Sequence, residues 1–95
     1  MAYAIVNRFR GGSKDQYEAA VARVHPPGGL PEGQTIHAAG EAGGEWVVLA
    51  VWDSKADWER FRDETLLPTL RDTEGTFEAP PEMTEFEVHN LQFGR

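Results

Sequence analysis

Apolar and polar positions along the chain fall into blocks of two different periods. From Tyr3 to Phe9 they alternate and β formers dominate, which predicts a first strand. Gly11-Gly12 turns the chain, and Ser13 is placed as an N-cap with Gln16 three residues on, the spacing of a capping box. Tyr17, Ala20, Val21 and Val24 then follow at the spacing of one buried helical stripe. Pro26 and Pro27 must stop that helix near His25, because proline removes a donor and clashes with the preceding turn. The connector from His25 to Gly33 has no regular period. A second strand is predicted over Gln34–Ala42 and a third over Glu45–Trp52, with Gly43-Gly44 supplying the positive φ of a two-residue hairpin. Ser54 caps a second helix with Asp57 at the box position, and Trp58, Phe61, Thr65 and Leu66 lie on its inner side. Pro68 ends or kinks that helix, and Leu70-Arg71 can begin a short extra turn. After an irregular Thr73–Glu82 stretch, Met83–Leu91 reads as a fourth strand.

The order is βαββαβ, the split arrangement of an α+β, ferredoxin-like sandwich, expected to span residues 1–95 as a single domain. Its four-stranded antiparallel sheet carries both helices on one face. A turn at Gly43-Gly44 pairs Glu41 with Trp46, Ala39 with Val48, His37 with Ala50 and Thr35 with Trp52. One hairpin face then holds Ile36, Ala38, Val47, Leu49 and Val51, and the other Thr35, His37, Trp46, Val48 and Trp52. Both faces of the third strand are apolar. Leaving two Trp and a Val in water would forfeit several kcal/mol at about 25 cal/mol per Å². A second copy of the chain is the simplest cover, so a symmetric homodimer packed sheet against sheet is expected.

With 95 residues, 40% hydrophobic and 26% charged, the chain reads as folded rather than disordered. It has no cysteine, which excludes disulfides, thiolate metal sites and cysteine nucleophiles. The longest apolar run, Trp46 to Trp52, is far short of the roughly 20 residues of a membrane span. Met1 leads straight into strand-like sequence, so a cytoplasmic location is expected. The net charge of −7 and the lack of a basic patch disfavour nucleic acid.

Asn7 lies mid-strand, where asparagine is disfavoured unless its amide finds partners. Such an amide either holds a substrate carbonyl or reduced-oxygen species, or is a satisfied core group. Trp52 and Trp58 offer core area or the walls of a site for a flat aromatic ligand. His37, on the strand face of Trp52, is a candidate general base for a phenol or a hydrogen-bonded interface residue. His25 sits near a helix C-terminus, where a cation suits the dipole. His89 stands beside Glu85 and Glu87 on a charged face. Arg71 either meets an anionic ligand or pairs with Asp72 or Glu74. Leu30, an apolar residue among breakers, either covers a pocket mouth or sits in a passive link. The three histidines show no ligand spacing, so no metal is expected. Neither glycine pair has the pattern of a phosphate loop.

The βαββαβ plan, Asn7-Arg8 in the first strand and the junction Val51-Trp52-Asp53-Ser54 resemble the antibiotic biosynthesis monooxygenase superfamily of dimeric α+β barrels. That resemblance covers nearly the whole chain. It implies a homodimer and, by its quinone-forming branch, a monooxygenase that oxidises phenolic or polyaromatic small molecules with O2 and no cofactor. Asn7 would then be the donor to oxygen species and His37 the base, with Trp58 and Phe61 as apolar walls. The haem-degrading branch is disfavoured, because alignment of the junction puts Phe61 at its tryptophan and Arg71 at its axial histidine. The alternative is a non-catalytic, ligand-binding or stress-associated barrel of the same fold.

Overall fold

The computed structural model describes residues 1–94. The elements run β1 (Tyr3–Arg10), α1 (Lys14–Val24), β2 (Gln34–Ala42), β3 (Glu45–Trp52), α2 (Lys55–Phe61), a π turn (Arg62–Leu66), α3 (Leu67–Arg71) and β4 (Glu82–Glu87). The sheet order is β2-β3-β1-β4, with every neighbouring pair antiparallel. The α+β, ferredoxin-like arrangement expected from the sequence is therefore present.

Local chemistry sets most boundaries. Ser13 Oγ accepts from the Gln16 backbone N–H, and Gln16 Oε1 accepts from the Ser13 N–H, so both halves of the capping box form. Ser54 Oγ accepts from the Asp57 N–H at the start of α2. Gly43 and Gly44 have φ of 59° and 85°, the left-handed pair that a tight hairpin needs.

Three expectations about single elements are corrected. A bulge between Gln34 and Ile36 pairs Gln34, not Thr35, with Trp52. The rest of the hairpin register is as expected, with His37 opposite Ala50 and Glu41 opposite Trp46. β4 ends at Glu87 rather than Leu91, because β1, its partner among the described residues, begins at Tyr3 opposite Glu87. Its last backbone bond is Val88 N–H to Ala2 O, at 2.9 Å. Finally, of the two outcomes expected of Pro68, ending or kinking the second helix, the first does not occur. A π turn precedes it, with the Leu67 N–H reaching back to Arg62 O, and Pro68 falls in the first turn of α3. The wider turn accommodates the missing proline donor and the steric demand of its ring.

Both helical segments lie on the sheet face of Tyr3, Ile5, Ala50 and Trp52. The core packs those residues against Trp58, with Phe61 and Leu66 at its margin. Trp52 is fully buried, its ring 4.9 Å from Phe61 and 5.9 Å from Trp58, centroid to centroid. The helices thus cover the tryptophan face, which corrects the expectation that Trp46, Val48 and Trp52 need a second copy as their cover, and the face without helices is the smooth aliphatic one. Val6, Ile36, Val47 and Leu49 are only half-buried there, and Phe86 is 50% exposed.

At one end of the sheet the Phe9 and Phe77 rings stack at 3.7 Å, which pins the 73–82 segment to β1. Gly12 permits that stack, since a Cβ at this position would stand 2.9 Å from both the Phe77 ring and Phe9 Cβ. Gly12→Ala should therefore destabilise by about 1–3 kcal/mol, the usual cost of overpacking. That corresponds to a Tm several degrees lower, whereas Gly29→Ala, in open space, should leave the melt unchanged.

Candidate functional site

Between the sheet and its helices lies a cavity of about 230 Å³. Its floor is the helix-side face of β1 and β3, from Ile5, Asn7 and Phe9 to Val48, Ala50 and Trp52. One wall is α1, through Tyr17, Ala20, Val21 and Val24. The other runs from Trp58 and Phe61 through Leu66, Leu67 and Leu70, while Phe77, Pro81 and Met83 close the end. The volume arises where short side chains (Ala20, Ala50, Val48) sit between large aromatic rings. It is just below the roughly 300 Å³ at which drug-sized pockets begin, which suits a small aromatic molecule. A second, more polar cleft of about 280 Å³ shares Phe9 and Phe77 but is edged by Arg8, Arg10, Glu45 and Glu82.

Five of the sequence-predicted residues meet in the apolar cavity: Asn7, His37, Trp52, Trp58 and Phe61. Two do not. Leu30 is 37% exposed on the connector and is not part of the cavity wall. Arg71 is exposed at the end of α3, likewise outside the wall, and makes no ion pair among the described residues. The cavity also reaches Arg62, which forms an ion pair with Asp63 at 2.8 Å.

Asn7 Oδ1, Trp52 Nε1 and Trp58 Nε1 are buried without hydrogen-bond partners. A buried polar atom left unpaired costs about 1–3 kcal/mol, so each favours a ligand that supplies a complement. Asn7 brings a donor and an acceptor on one planar group, and each indole brings a donor.

A polar chain that sequence reasoning missed lies along the α1 wall. Tyr17, read from its spacing only as part of a core stripe, places its hydroxyl 2.5 Å from His37 Nε2. On the far side of the imidazole, Nδ1 is 2.7 Å from Gln34 Oε1. An amide oxygen can only accept, so His37 carries its proton on Nδ1 and its bare Nε2 accepts from the Tyr17 hydroxyl. The β2 bulge makes this possible. In regular alternation Gln34 and His37 would face opposite sides of the sheet, and the extra residue turns Gln34 to the His37 side. His25 meets His37 edge-on, with ring centroids 4.8 Å apart.

Burial pushes the Tyr17 phenol above its ordinary range. It pushes both His25 and His37 below theirs, and the nearby His25 lowers His37 further. His25 is thus held neutral by its surroundings, against the cationic role its place at the end of α1 suggested. No group of three His, Asp or Glu residues that could hold a metal ion occurs among the described residues.

The two histidines fix a pH dependence of stability. Their folded pKa values lie below the unfolded value near 6.5, so the unfolded chain binds more protons between the two. The stabilisation is full above about pH 6.5 and is lost as pH falls toward the folded values. Urea midpoints should drop from pH 7.5 to about 5.5, and the His25→Asn/His37→Gln double variant should flatten that slope.

No protein-family model matches the chain, and no curated protein matches it by sequence. Solved structures do match. Rv0793 from Mycobacterium tuberculosis superposes with a TM-score of 0.69 at 18% identity, over 96% of this chain and 98% of its own. A candidate antibiotic biosynthesis monooxygenase from Chloroflexus aurantiacus gives 0.61 at 19% identity, over 99% and 100%. SnoaB, a cofactor-independent oxygenase from Streptomyces nogalater, gives 0.62 at 21% identity, over 95% of each chain. These neighbours share one fold, and this chain has it.

Proposed function

We propose that the protein is a cofactor-independent monooxygenase that oxidises a phenolic or polyaromatic small molecule with O2. The observation that carries this reading is the aromatic-walled cavity into which Asn7 brings an unpartnered carboxamide beside the polar chain of His37. The likeness to SnoaB, itself a cofactor-independent oxygenase, supports the same class.

In this chemistry the substrate carries the difficult step. An activated ring carbon bearing two hydrogens loses a proton, and the resulting carbanion passes an electron to O2. One oxygen atom ends in a new carbonyl, and the other leaves as water with the two hydrogens the carbon lost. The protein excludes water, aligns the ring against the wall of Trp58 and Phe61, and places the Asn7 amide against the developing oxyanion. Among the described residues no helix is long and apolar enough to cross a membrane.

Oxygen uptake with anthrone-like and naphthol-like substrates, without added metal or flavin, tests the reading. Turnover is expected, and Asn7→Ala should lower kcat by about 10²–10³ with little change in KM. Binding without uptake across the panel would mark a ligand-binding barrel instead of an enzyme.

The proposal includes a homodimer formed through the aliphatic sheet face. Val6, Ile36, Val47 and Leu49 form a helix-free apolar surface, and Phe86 extends it. Light scattering should give twice the chain mass at micromolar concentration. Leu49→Glu should give a monomer, since it buries a charge in that interface.

A further inference from the structure

We propose that Tyr17, not His37, is the residue that takes the substrate proton, with His37 as the acceptor behind it and Gln34 as the residue that positions His37. This inference rests on the monooxygenase reading for its substrate class, a phenol or activated aromatic carbon acid. Three observations carry it. Tyr17 lines the cavity, and its hydroxyl already donates to His37 Nε2 at 2.5 Å. The imidazole is fixed in the tautomer that leaves Nε2 bare, by the 2.7 Å contact of Nδ1 with Gln34 Oε1. The β2 bulge places Gln34 on that face opposite Trp52, and Gln34 is 9% exposed there. Bulges occur where a side chain must be re-aimed, commonly beside active sites.

The Tyr17 oxygen donates one hydrogen bond and keeps lone pairs free to accept another. A substrate O–H or acidic C–H in the cavity gives its proton to Tyr17 Oη as the tyrosine's own proton passes to His37 Nε2. The products are a substrate anion, a neutral tyrosine and an imidazolium whose Nδ1–H remains on Gln34. The number of protons is conserved and no electron moves. The neutral resting state fits the chain's electrostatics, since burial disfavours both the tyrosinate and the imidazolium until a substrate anion is present to pair with the latter. His25 adjoins His37 and favours return of the proton, while Arg62 in the cavity lining favours the anion.

The test uses para-nitrophenol as a probe, whose visible absorbance reports its ionisation when bound. Bound to the wild-type protein it should ionise about one pH unit lower than when bound to Tyr17→Phe or His37→Gln, a tenfold difference in the ionised ratio. Equal ionisation in the wild type and both variants overturns the relay, as does a wild-type protein that binds none of the probe. Nitrogen NMR of the wild type alone gives an independent readout: His37 must become doubly protonated as the bound phenol ionises. A neutral His37 beside an ionised phenol overturns the relay even where a variant fails to fold. Oxygen uptake separates this inference from the reading it rests on. A protein with the ionisation shift and no uptake keeps the relay and loses the monooxygenase assignment, whereas uptake with no shift does the reverse.

Discussion

The arrangement depends on how β3 divides its side chains. An eight-residue strand with apolar residues on both faces can be buried only if each face finds its own cover. Trp46, Val48, Ala50 and Trp52 face the helices, and Val47, Leu49 and Val51 face away. Trp52 is the largest fully buried side chain, and it sets the height at which Trp58 and Phe61 of α2 can rest. With one end of the helical layer propped on these rings, the smaller residues farther along β3 and α1 cannot fill the space beneath. The cavity is therefore a consequence of uneven side-chain size along two elements. Packing at native density would otherwise close such a gap.

Much of this was legible in the residues themselves. The capping box at Ser13, the N-cap at Ser54, the paired prolines after α1 and the glycine pair of the hairpin are local signals, and local chemistry decides those boundaries. β2 and β3 are bounded by such signals and match expectation end to end. The choice of which sheet face the helices cover was not legible, because both faces of β3 are apolar. Only the shape match of Trp52 with Trp58 and Phe61 decides it. The length of β4 was hidden for a related reason, since it depends on where β1 begins, far away in sequence.

The candidate site was legible in part. Asn7 is conspicuous because asparagine is out of place in a strand, and His37 because it shares a face with Trp52. Tyr17 gave no such signal. A tyrosine on a helical stripe looks like core until something is found to meet its hydroxyl, and that something depends on the hairpin register. Gln34 was hidden more deeply, because alternation sends it to the wrong face and only the bulge brings it back. The π turn before Pro68 belongs with these. It places Leu66, Leu67 and Leu70 along the cavity wall, a result that the helical period alone does not give.

The bulge, the tautomer and the apolar wall act together on one quantity, the cost of creating charge in the cavity. A site lined mainly by hydrocarbon penalises a lone ion far more than a pair of opposite ions. With Tyr17 and His37 both neutral at rest, the apolar cavity holds no ion along the α1 wall that would hinder a flat aromatic ligand from entering. Once a ligand gives up a proton, its anion and the imidazolium form together, and the same low polarity that penalised each alone strengthens their attraction. Gln34 contributes by accepting from Nδ1–H in both protonation states, so the imidazole need not rotate when it gains its second proton. The cavity thus favours ligands whose acidity can be expressed within reach of Tyr17. An aromatic molecule of the same size without an ionisable hydrogen there would gain only the contact with the walls.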